Sequence, residues 1–85
     1  MTEETPNTME VGTQPLEKIL TDLGLKNSDL VENSTEQLTF KVVGKARRGR
    51  RLTLNAQMKI LNALNAAQDD KYFELKDLFN YQGKR

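Results

Sequence analysis

The sequence predicts an all-α protein, a small four- to five-helix bundle with a disordered N-terminal tail. Three observations lead there. Apolar residues recur at helical spacing over residues 16–23 and 58–67, and Gly24 and Gly49 stand where helices would stop. The apolar content is 36% over 85 residues, enough for the modest core of one small domain. An α+β alternative, with a short strand or hairpin around residues 37–53, stays open.

Residues 1–14 are rich in Thr, Glu, Asn and Gln, with only Met9 and Val11 as bulky apolar side chains. Such a segment buries too little surface to offset its ordering entropy, so it is expected to be a disordered tail. Residues 15–85 are then a single small helical domain. With Glu3, Glu4 and Glu10 set aside, that domain has 13 basic and 9 acidic residues, a net charge of +4.

Pro15 suits a first helical turn, and Leu16, Ile19, Leu20 and Leu23 share one face before Gly24. Ser28 is the expected cap of a short second helix carrying Leu30 and Val31, with Asp29 in its first turn. Ser34 and Gln37 match a capping box opening a third segment. As a strand, Leu38, Phe40 and Val42 alternate with Thr39, Lys41 and Val43. As a helix, Leu38, Thr39, Val42, Val43 and Ala46 fall within an arc of about 140°, opposite Gln37, Lys41, Gly44, Lys45 and Arg48. The helix accounts for more residues and is the preferred reading. Thr53 or Asn55 caps the next helix, whose broad face is Met58, Ile60, Leu61, Leu64 and Ala67. The last segment holds Phe73, Leu75, Leu78 and Phe79 between Tyr72 and Tyr81, and is expected to dock as a lid, as a short helix or as a strand leading into a helical turn.

Residues 41–51 contain six basic side chains and no acidic one: Lys41, Lys45, Arg47, Arg48, Arg50 and Arg51. A charge run alone usually means a solvated face. Here four of the six are Arg, whose planar fork suits phosphates and guanine edges. The expectation is a polyanion-binding surface, with nucleic acid as the partner.

The segments LEKILTDLGL from Leu16, SDLV from Ser28, KARRGRRLT from Lys45 and KILNALN from Lys59 together resemble the lambda-repressor-like (Cro/C1-type) helix-turn-helix family. The resemblance covers about residues 15–67. It implies a helix-turn-helix bundle in which a basic helix, around 35–48, enters the DNA major groove. Gln37 would then pair with adenine, and Lys41 or Lys45 with guanine or phosphate. Arg47, Arg48, Arg50 and Arg51 would neutralise backbone phosphates, with Ser34 and Thr35 adding contacts at the helix N-terminus. Asn33, Ser34 and Thr35 fill the turn where that family commonly has a Gly. For Gln37 a plain capping role competes, and for Phe40 packing under the C-terminal segment competes with half-exposure for stacking.

The leading expectation is therefore a small DNA-binding protein, a transcriptional regulator in the cytoplasm, working as a homodimer on a two-fold site. An RNA-binding module and a protein–protein adaptor with a basic docking face are the rivals. Cysteine and histidine are both absent, which removes thiol nucleophiles, zinc fingers and His acid–base chemistry. No nucleophile elbow or phosphate loop is present either, so no enzyme activity, cofactor, metal or small-molecule substrate is expected. No apolar run approaches the roughly 20 residues of a membrane span, so no membrane partner is expected.

Overall fold

A computed structural model describes residues 11–81, and they form five α-helices with no strand among them. The α+β alternative is thereby set aside: residues 37–53 hold a helix, a turn and a helix cap. α1 spans Pro15–Leu23, α2 Asn27–Asn33, α3 Phe40–Arg47, α4 Leu54–Ala67 and α5 Leu75–Leu78. α3 packs on α1 and α2, α4 packs on α2 and α5, and α5 returns to α1. Leu16, Leu20, Leu30, Val43, Ile60, Leu64 and Leu78 meet in the common core, fully shielded from solvent.

The helix stops follow from hydrogen-bond accounting. At the end of α1, Gly24 takes the left-handed conformation (φ 70°), the Leu25 N–H reaches the Leu20 carbonyl and the Gly24 N–H the Thr21 carbonyl. The end of α3 repeats this pairing: Gly49 has φ 81°, Arg50 N–H meets Lys45 O and Gly49 N–H meets Ala46 O. Both are the glycine-terminated motif that satisfies orphan carbonyls. Thr53 caps α4 by accepting from the Ala56 N–H at 3.2 Å.

Several local expectations are corrected. α2 begins at Asn27, and the Asp29 carboxylate accepts the Lys26 N–H at 2.7 Å, so Lys26 and not Ser28 holds the cap position. Met58 stays 38% exposed, and Gln57 occupies the buried place on α4 instead. The tail shortens as well. Residues 11–14 are packed on the domain: the Val11 N–H donates to Gly49 O at 2.8 Å, and Gln14 is buried. The Gln14 amide donates to Val11 O and Gly12 O, and its Oε1 accepts the Asn80 N–H at 2.6 Å. Residues 1–10, the rest of the expected tail, lie outside the described residues.

The C-terminal segment docks as expected and is a short helix. Phe73, Leu78 and Phe79 are buried. Asn65 of α4 clamps it, donating to Phe73 O at 3.0 Å and accepting the Phe73 N–H at 2.9 Å. The Tyr81 hydroxyl accepts the Leu52 N–H at 2.8 Å, tying the end of the lid to the loop before α4.

Candidate nucleic-acid interface

The basic run is split by geometry. α3 starts at Phe40, five residues later than a helix around 35–48 would. The Ser34 hydroxyl accepts the N–H groups of Glu36 (3.1 Å) and Leu38 (3.4 Å), a local turn that competes with helix initiation. Gln37 sits at φ 61°, left-handed and exposed, so it is neither on the basic helix nor the second half of a capping box. Leu38 is buried and pins the connection. The cap falls to Thr39, whose Oγ1 accepts the Val42 N–H at 3.2 Å. Ser34 and Thr35 therefore do not lie at the N-terminus of α3.

Along α3, Val43 and Ala46 are buried, and Val42 is half-buried beside them. At about 100° per residue the opposite side carries Phe40, Lys41, Gly44, Lys45 and Arg48. Lys41 and Arg48 are exposed and Lys45 is half-buried, so these three expected residues do share one outward stripe. Phe40 is 58% exposed on the same side, so of its two readings exposure holds and packing under the C-terminal segment does not. Gly44 lies in the middle of the stripe. A methyl group added there would meet only the tip of the Arg48 guanidinium, at 3.2 Å.

Arg47 leaves this surface. Its Nε donates to Glu17 Oε1 at 2.6 Å, its Nη2 to Glu17 Oε2 at 3.2 Å and its Nη1 to Asn27 Oδ1 at 2.9 Å. One guanidinium thus joins α1, the start of α2 and α3. The hydrogen bond from Arg47 holds the Glu17 carboxyl below its ordinary pKa, and partial desolvation opposes that shift. Arg47 is shifted upward by the same pairing. Among the described residues, Arg47 thus has partners within the fold, unlike Lys41, Lys45 and Arg48 on the outward stripe. Arg50 and Arg51 follow the Gly49 turn, past the end of α3, and are half-buried; the Arg51 guanidinium lies 5.0 Å from the centre of the Tyr81 ring. Glu36, the acid preceding α3 in sequence, takes a hydrogen bond from Asn62 Nδ2 at 3.0 Å.

Sequence reasoning missed the Glu17–Arg47–Asn27 network, because its partners lie 30 and 20 residues apart and no local pattern joins them. It also missed the buried Gln57, whose amide oxygen and nitrogen have no hydrogen-bond partner. No cluster of His, Cys, Asp or Glu suited to a metal exists among the described residues, and no helix among them is long and apolar enough to cross a membrane. No protein-family model, curated protein or solved structure matches the chain.

Proposed function

We propose that this is a small DNA-binding protein, a transcriptional regulator that lays the outward stripe of α3 in the major groove. The observation that carries the reading is the stripe itself: Lys41, Lys45 and Arg48 face away from the core, and no acidic residue interrupts residues 41–51. α3 is held on α1 and α2 through its opposite side, so the stripe is presented on a rigid support. Residues at the start of such a helix lie nearest the base edges, and those at its end lie nearest phosphates. Lys41 and Lys45 then meet guanine or phosphate, while Arg48, Arg50 and Arg51 neutralise the backbone. One α3 spans few base pairs, and two copies on a two-fold site complete the reading.

The test is the salt dependence of binding to a labelled duplex of random sequence, followed by fluorescence anisotropy. Three to five neutralised phosphates give a log–log slope of about −2.7 to −4.5, a loss of about 40- to 500-fold between roughly 50 and 200 mM salt. Alanine at Lys41, Lys45 or Arg48 flattens the slope by about 0.9 for each phosphate that is no longer neutralised. Absence of binding at low salt overturns the proposal. One observation favours a second reading: exposed Phe40 next to Lys41 is the pairing that single-stranded RNA uses for base stacking. Tighter binding to single-stranded RNA than to duplex of equal length selects that reading instead.

A further inference from the structure

We infer that Phe40 reads the C5-methyl group of thymine, and that Gly44 is glycine so that the duplex can approach α3 closely. The inference rests on the DNA-binding reading and names what its site selects.

Phe40 is the first residue of α3 and is 58% exposed, although the domain has a core able to bury aromatic rings such as Phe73 and Phe79. It stands on the same side as Lys41 and Lys45, two cations that hold a polyanion against the helix. Gly44 follows one turn later and Arg48 one turn after that, so the three form a line along the stripe. Glycine inside a helix costs about 0.5–1 kcal/mol relative to alanine. Nothing in the fold requires it at position 44: a methyl group there would touch only the movable end of Arg48. The tip of the Arg48 guanidinium lies over Gly44, and when Arg48 turns to a phosphate no side chain stands at position 44 beside the Phe40 ring. In the major groove, the apolar feature a phenyl ring can recognise is the thymine methyl group, while Lys41, its neighbour on the helix, suits a guanine edge or a phosphate. The preferred site therefore holds a thymine within one or two base pairs of the position that Lys41 contacts.

The experiment selects preferred sites from a pool of random duplexes with the full chain. Each thymine of the selected site is then replaced in turn by deoxyuridine, which keeps the base pair and lacks only the methyl group. At one or two positions the replacement should weaken binding about four-fold, the equivalent of roughly 0.8 kcal/mol per methyl. Phe40→Ala, a change at an exposed position, should bind the thymine site more weakly and respond less than 1.5-fold to the replacement, taking ~1.5 as the resolution of such a titration against the four-fold effect. Two results overturn the inference while leaving DNA binding standing: a selected site that tolerates deoxyuridine everywhere, or a Phe40→Ala chain that stays as sensitive as the parent. Failure to bind any duplex overturns both readings together and is distinguished by the absence of a titration.

Discussion

Replacing Arg47 by alanine removes the guanidinium that joins α1, α2 and α3, and the cost can be worked from its contacts. The ion pair to Glu17 is bidentate, but its side chains keep 24% and 36% of their exposure. Solvent screening therefore limits it to the upper part of the range of about 0.2–1 kcal/mol found for such pairs. The charge-assisted bond to Asn27 Oδ1 raises the total to about 1–2 kcal/mol. At roughly 4–8 °C per kcal/mol for a domain of this size, the melting temperature should fall by about 5–15 °C. The effect depends on pH with a definite sign. Glu17 has its folded-state pKa depressed, so the pair stabilises fully above the ordinary carboxyl value and loses that contribution as pH falls through the lower, folded-state value. Urea unfolding followed by circular dichroism should show a wide gap between parent and Arg47→Ala near pH 7 and a narrower one near pH 3, below the ordinary carboxyl value, where part of the ion-pair contribution has been lost. At a pH where the variant is folded, its affinity for duplex should fall far less than that of Lys41→Ala. Stability within about 0.3 kcal/mol of the parent, or a gap that is the same at both pH values, would refute this reasoning.

Three further changes test other parts of the structure. Gly49→Ala places a methyl group 2.5 Å from the Gly12 carbonyl oxygen at a φ of 81°, and should cost about 1–3 kcal/mol in thermal unfolding and speed hydrogen exchange at the Val11 amide. Gln57→Met removes a fully buried amide without partners at nearly constant volume and should raise the urea midpoint, by about 1–2 kcal/mol in stability; a lower midpoint would mean that the amide is satisfied. Gly44→Ala should stabilise the fold by about 0.5–1 kcal/mol yet weaken duplex binding. Unchanged affinity would place Gly44 away from the bound duplex.

The helices that could be foreseen are those whose signals are local. α1 and α4 follow from apolar spacing, and their neighbouring turns follow from Gly24, Gly49 and Thr53. The start of α3 could not be read in the same way. Ser34 and Gln37 have the spacing of a capping box, yet the Ser34 hydroxyl closes a turn on Glu36 and Leu38, and Thr39 takes over the cap. Arg47 and Arg48 are neighbours in sequence and about 100° apart around the helix. Which one turns inward is decided by Glu17 and Asn27, whose positions belong to the tertiary fold. Gln14 looks like tail because it is polar, and its burial depends on an acceptor role toward Asn80, 66 residues away. The outward direction of Lys41, Lys45 and Arg48 was legible, since helical periodicity alone opposes them to Val43 and Ala46.

The central claim is that the α3 stripe is a polyanion-binding surface built for duplex DNA. An amide NMR titration of the full chain with a random duplex, at low and then moderate salt, tests it most directly. A polyanion-binding stripe predicts shifts concentrated at residues 39–51, strongest on the Phe40, Lys41, Gly44, Lys45 and Arg48 side and sharply weaker at moderate salt. Absence of shifts at low salt, or shifts centred on α5 and the far side of α4, would contradict it.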